Sequence, residues 1–511
     1  MVLLEPTAGL DGSYIALSHC WGTGRMFKTT IASKKQRMRN IRLTELPRTF
    51  RHAITVTRKL DVRYLWIDSL CIIQDDAEDW ALQSAEMAAI YSNSYLTIAA
   101  SFARDSSRGL FRKRRILSHT VEVQHPSDGA PVISMMVRKP EDRILFEKNH
   151  NQYEEWFHPN RIIHNSDLET HKMLQVPLLS RGWAFQERLL STRILHFTPL
   201  ELIFECKNDF HCECSSMRKE SITAPIFSCF TSKYVDLPNT WQKLVATYKT
   251  QQLTKRSDTF PALSGLAKAI SDRAGASLGP YCAGLWGNYL HDGLCWSVAG
   301  EAEIDEEDTD EKYIAPSWSW ASICGRVTWH GGENYEKDDK FELLSLNCVA
   351  KGHNLLGELK QGSSIVVRAN IVPAIEIMGK SEGSVWYKLL STELNELGEQ
   401  HPAEEPPNRL YPELMVCFDV GRGSVMRQAE KEKAYHFYCM ALRVKFPASY
   451  LRDYSCDLIV QGLAVQKVFG ASETYKRIGI FYAEGPLVFE YFKYGEGSWK
   501  NKAEYKDITL I

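Results

Sequence analysis

The first 110 residues set short apolar runs against amphipathic ones at helical spacing, and this alternation constrains the fold more than any other feature of the chain. Residues 14–20 read as a strand. After Pro47, well suited to a first helical turn, Phe50, Ala53, Ile54 and Leu60 recur on one face and predict a helix to about Leu60. Residues 62–68 form the next strand. Asp75 and Asp76 are cap residues for a second helix, along which Trp80, Ser84, Met87 and Tyr91 make one stripe, and residues 95–101 supply a third strand. Right-handed crossovers between parallel strands then predict an α/β, doubly wound parallel sheet with helices on both faces.

The rhythm breaks over residues 112–173, a polar stretch that reads as a surface insertion, and its His150, His158, His164 and His171 lack metal spacing. Order returns with Ser180 as a cap, a helix through Trp183 to Leu190, and a hairpin of residues 193–197 and 202–206. This predicts a first domain over residues 1–230. A mixed α/β segment over 231–330 carries an acidic run, 301–311, that reads as a solvated loop. The runs 364–369, 414–420, 435–444, 458–468 and 477–482 are rich in β-branched and aromatic residues and predict a β-rich domain over 331–511, interrupted by a Pro- and Glu-rich connector at 393–409.

With 44% hydrophobic residues, 24% charged and a formal net charge of -2, the composition gives no electrostatic argument for nucleic acid or an anionic membrane. No run of about 18 apolar residues occurs, and the N-terminus lacks the order of a signal peptide. Thirteen cysteines, an odd number of scattered singletons, and the absence of any Asn-x-Ser/Thr sequon fit free thiols in a reducing compartment, so a cytoplasmic protein is expected.

In open α/β sheets ligands bind beyond the carboxyl ends of the strands, which draws attention to residues 20–24, 68–75 and 101–109. Gly22 and Gly24 either let backbone amides approach a phosphate or simply serve a tight turn; no complete dinucleotide fingerprint or P-loop accompanies them. His19 and Cys20 are strand neighbours pointing to opposite faces, so they do not form a catalytic dyad. Cys71 has no basic neighbour and reads as a buried thiol. Asp68 ends the apolar run 64–67, either as a cap for the following loop or as a site residue. Glu187 lies on a helix that is apolar almost all round, so it is either an arginine's structural partner or a site residue. Cys206, His211, Cys212 and Cys214 have irregular spacing, and no metal is expected there.

The blocks Tyr14-Ile15-Ala16-Leu17-Ser18-His19-Cys20-Trp21-Gly22, Leu65-Trp66-Ile67-Asp68-Ser69-Leu70-Cys71-Ile72-Ile73-Gln74-Asp75 and Arg181-Gly182-Trp183-Ala184-Phe185-Gln186-Glu187-Arg188 closely resemble the three signatures of the fungal heterokaryon-incompatibility (HET) domain, over about residues 14–190. Residues 261–267, 283–286 and 315–322 resemble the extension of large members. His19 stands where the family often has Tyr, and Gln83 where it often has Glu. Only 13 residues precede Tyr14, so an upstream strand or partner-sensing region is either absent or missing from this sequence.

The resemblance implies a TIR-like fold and a role in non-self recognition that triggers cell death, with other proteins as partners: further HET or recognition proteins, or a second copy. Neither nucleic acid nor a membrane segment is implied. Because some TIR domains cleave NAD, a TIR-like NAD hydrolase stands beside the signalling reading, with Asp68, Glu86 and Glu187 as the available carboxylates. The crevice and signature residues that would line a cofactor or substrate site are Trp21, Gly22, Gly24, Cys71, Gln74, Asp75, Arg181, Trp183, Gln186 and Arg188. A third reading is a non-catalytic interaction scaffold.

Overall fold

The computed structural model describes residues 2–6, 9, 11–22, 24, 26–111, 118–123, 133–138, 176–199, 201–207, 209–213, 236–299, 313–329, 335–352, 354–378, 385–389, 413–419, 434–445, 458–468, 470–485 and 504–511. The four insertion histidines, Cys214, the acidic run 301–311 and the connector 393–409 lie outside the described residues. The chain divides into two compact units, the first holding residues 1–240, 251–255 and 261–273, the second holding 241–250, 256–260 and 274–511.

In the first unit, β1 (Tyr14–Ser18) is the centre of a parallel sheet. It pairs with β2 (Tyr64–Ile67) on one side and β3 (Leu96–Ala99) on the other. A separate hairpin joins β4 (Ser118–Val123) to β5 (Ile133–Arg138). The main sheet continues through β6 (Arg193–Phe197), parallel to β3, and then antiparallel through β7 (Leu202–Cys206) and β8 (Phe210–Cys212), giving the order β2-β1-β3-β6-β7-β8.

The helices are α1 (Ile31–Arg39), α2 (Arg48–Lys59), the single turn α3 (Asp68–Cys71), α4 (Ala77–Asn93), α5 (Gly182–Leu190) and α6 (Pro261–Ala274). Side-chain alternation along β1 sorts them onto two faces. Ile15 and Leu17 pack with Phe50 and Ala53 of α2, whereas Ala16 packs with Met87 and Tyr91 of α4 and with Trp183 of α5. Asp76 caps α4 by accepting from the backbone N–H groups of Glu78 and Asp79, as the sequence predicts.

Three local expectations need correction. Pro47 is the residue before α2 rather than part of its first turn. Ser180 does not cap α5, because its hydroxyl donates to the Pro177 carbonyl and Arg181 takes the cap position without a side-chain bond. The sequence reading also missed α1, whose only buried residue is Arg37 and which therefore has no apolar stripe to betray it.

In the second unit a nine-stranded sheet holds the predicted β-rich region. Ser364–Met378, Ala434–Lys445, Leu458–Lys467, Thr474–Gly485 and Glu504–Leu510 pair in this order, and the last pairs back with the first, so these five strands close into a ring. Val372, Phe437, Cys439, Val460, Ala464 and Phe481 fill its core.

The extension blocks at 283–286 and 315–322 belong to the core of this unit. Trp241 and Trp320 both donate to the Gly284 carbonyl, at 2.8 and 3.1 Å, and Trp296 donates to that of Trp318 at 3.1 Å. Gly284 has φ +87°, and a Cβ there would lie 2.4 Å from the Trp320 indole nitrogen. Free thiols throughout the chain are not what the structure shows: Cys282 and Cys348 form a disulfide, with Cα atoms 5.7 Å apart.

Candidate functional site

The three blocks of residues 14–22, 65–75 and 181–188 meet at the carboxyl edge of the parallel sheet, where β1 and β2 end. Asp68 is held from two sides: the Trp21 indole Nε1 donates to Oδ2 at 2.8 Å and the Ser69 backbone N–H to Oδ1 at 2.6 Å. Gln74 Nε2 donates to the Asp68 carbonyl at 3.2 Å. His19, its side chain 1% exposed, brings Nδ1 to 3.6 Å from Asp68 Oδ1, just beyond hydrogen-bonding range. Neither ring nitrogen of His19 has a hydrogen-bond partner, and Phe50 of α2 meets the ring edge-on at 5.0 Å. Burial holds the imidazole below its usual range against the pull of Asp68. Arg181 Nη1 donates to the His19 carbonyl at 2.5 Å, tying the third block to the first.

Glu187 approaches from the opposite face of the sheet. It is 5% exposed, and its Oε2 has no hydrogen-bond partner. Burial, and then the charge of Asp68, push its carboxyl up to about 7; Ser18, Arg181 and Tyr91 pull the other way without restoring the ordinary value. Arg181 lowers the Glu187 carboxyl less than burial and Asp68 raise it. The site that results is a carboxyl poised near neutrality, close enough to the Asp68 carboxylate to feel its charge. A carboxyl raised by burial and by a neighbouring charge is a candidate acid–base group.

The remaining candidates divide. Glu86 is exposed on α4, on the side away from its buried residues Ser84, Met87 and Tyr91. Gly22 has φ +78°, and a Cβ there would lie 2.5 Å from Asp105 Cβ, so this glycine is required by the close approach of the 104–105 loop. Gly24 is exposed with nothing near it. Asp75 accepts from the Ile31 backbone N–H at 2.7 Å and so anchors the start of α1. Trp183 meets Trp80 edge-on at 6.4 Å. Burial raises the Cys71 thiol to about 12 and that of Cys20 to about 11, which leaves neither a nucleophile at neutral pH. Just past the end of β1, Cys20 packs with Leu178 and Ala184 while His19 packs with Phe50, so the two side chains face opposite ways.

Gln186 and Arg188 are engaged in packing. Gln186 Oε1 accepts from the Gly265 backbone N–H at 2.8 Å, and a Cβ on Gly265 would lie 2.5 Å from that of Ala88, so α6 sits directly on α4 and α5. Arg188 forms a two-pronged pair with Glu205, Nε to Oε2 at 2.9 Å and Nη2 to Oε1 at 2.8 Å. His196 Nε2 lies 2.8 Å from Glu205 Oε2, and its Nδ1 lies 3.1 Å from Ser101 Oγ. Burial alone would raise the Glu205 carboxyl, but Arg188 and His196 outweigh it and hold the group at about 2. The sequence reading missed this chain of buried groups. Its signal was available, because alternation along the hairpin turns His196 and Glu205 inward beside Ile194 and Ile203.

A mixed α/β unit with a four-strand parallel core, and a buried histidine and two carboxylates at its edge, therefore carries all three sequence blocks. Residues 14–187 match the family model described as heterokaryon incompatibility protein (HET). The chain is a HET domain-containing protein. No curated protein and no solved structure matches it.

Proposed function

We propose that the protein acts in fungal non-self recognition, its HET domain signalling regulated cell death inside the cytoplasm. The observation that supports this most is the convergence of the three blocks on one cluster, Trp21 and His19 on Asp68 and Arg181 on His19, because spatial union of separate sequence blocks points to a shared role. The order β2-β1-β3-β6 with helices on both faces supports a doubly wound, TIR-like reading of the domain. Controlled expression of the full chain in a filamentous fungus should arrest growth. Unchanged growth while the folded protein accumulates would contradict the proposal.

A second reading, NAD glycosidic cleavage, is favoured by one specific observation: Glu187, unpartnered at Oε2 and titrating near 7 beside Asp68. A carboxylate so placed stabilises an oxocarbenium-like transition state; nicotinamide, cationic in NAD, takes the C–N electron pair and leaves as the neutral base, while water bonds to the ribose carbon and gives its proton to the carboxylate. Purified protein incubated with NAD should then release nicotinamide, with the rate responding to pH near 7. Growth arrest without any nicotinamide release would leave signalling through protein contacts as the activity.

A further inference from the structure

The near-zero charge of the whole chain conceals a strongly basic surface. From Arg25 to Arg63 the sequence has twelve lysines and arginines, and Glu45 and Asp61 are the only acidic residues among them. The structure turns most of these cations outward. On α2 the buried side is Thr49, Phe50, Ala53 and Thr57, whereas Arg48, Arg51, Thr55, Arg58 and Lys59 recur every three or four residues along the exposed side. On α1, Ile31, Lys34, Lys35 and Met38 share one helical face, all exposed, with Ile31 at 62% and Met38 at 37%. At the margins of this surface Glu45 lies 3.9 Å from Arg42 and Glu5 lies 3.5 Å from Arg63. Among the described residues no ion pair engages Lys34, Lys35, Arg48 or Arg51.

We propose that this α1–α2 surface docks on an anionic membrane, its lysines and arginines meeting lipid phosphates and carboxylates while Ile31 and Met38 enter the headgroup boundary. Charge complementarity selects a polyanion, and the aliphatic side chains select the lipid. Large apolar side chains set among cations fit the boundary of a bilayer, whereas a nucleic acid strand takes aromatic platforms, and no exposed aromatic residue lies on α1 or α2. Bilayer insertion by a spanning helix is not involved: no helix of the described residues is long and apolar enough to cross a membrane. The α2 part of the surface stands on the face of the sheet that Phe50 and Ala53 cover, and the inference is independent of the signalling reading.

The test is co-sedimentation of the full chain with vesicles of phosphatidylserine and phosphatidylcholine, compared with phosphatidylcholine alone, at low and high salt. Binding should require phosphatidylserine and weaken with salt. Reversing two charges, as Lys34→Glu with Lys35→Glu, should weaken partitioning by at least about tenfold. Ile31→Asp should weaken it several-fold, and each of these exposed sites should leave the melting temperature unchanged. Should the α1 pair perturb folding, Arg51→Glu with Lys59→Glu on α2 serves the same purpose. The proposal is overturned if vesicles do not bind, if binding ignores phosphatidylserine, if the variants bind as the parent does, or if an RNA or DNA duplex binds through these residues while vesicles do not.

Discussion

Glu187 owes its raised pKa to burial first and to Asp68 second, and both causes make a stability prediction. A carboxyl at about 7 in the folded chain, against an ordinary 4.5, holds its proton more tightly folded than unfolded. Its favourable contribution is therefore complete below about pH 4.5 and is lost as pH rises through 7. Across that window the parent should lose up to about 3 kcal/mol of stability from this group. Glu187→Gln keeps the shape and the acceptor for Ser18 and Tyr91 but removes the titration. Its urea midpoint should stay nearly level from pH 5 to 8 and exceed the parent's at pH 8. A variant destabilised by about 3 kcal/mol at every pH would instead make Glu187 the structural partner of Arg181.

At the scale of elements, the turn after β1 rests on Gly22 and not on Gly24. Ala at position 22 must adopt φ +78° and push its Cβ into Asp105, while position 24 is open. Gly22→Ala should cost about 2 kcal/mol or more and Gly24→Ala close to nothing, a contrast that paired thermal melts will read directly. This distinction was not legible in the sequence, where the two glycines look alike. The parallel strands and α2, α4 and α5 were legible, because each buries an apolar stripe that periodicity exposes. By contrast, α1 inverts the pattern, burying Arg37 against Phe27 and exposing Ile31 and Met38, so no stripe announced it. The closure of the five-strand ring was hidden for a different reason: pairing of Ser364–Met378 with Glu504–Leu510 joins strands far apart in sequence, and nothing local encodes it.

For the whole molecule, the sequence named Asp68 and Glu187 separately but not that the charge of Asp68 reaches Glu187, which depends on β1 and β2 running side by side. It also set His19 aside as one half of a failed dyad with Cys20, and the structure gives it Asp68 as a neighbour instead. Averaging charge over the full chain hid the basic surface of α1 and α2 in the same way that a mean hides any local extreme. In the second unit, the motif tryptophans at 286, 318 and 320 are buried, and the Arg477 guanidinium lies over the Trp296 ring at 3.4 Å while it pairs with Asp419 at 2.6 Å, so those blocks build a core. In the function proposed above, the HET domain acts through the cluster around Asp68 and Glu187. The most direct test of this role is growth of a filamentous fungus under controlled expression of the full chain, the Glu187→Gln chain and the Asp68→Asn chain, with abundance and melting temperature measured for each. The parent should arrest growth and both variants should permit it, at matched abundance of folded protein; arrest by all three alike would contradict this role of the cluster.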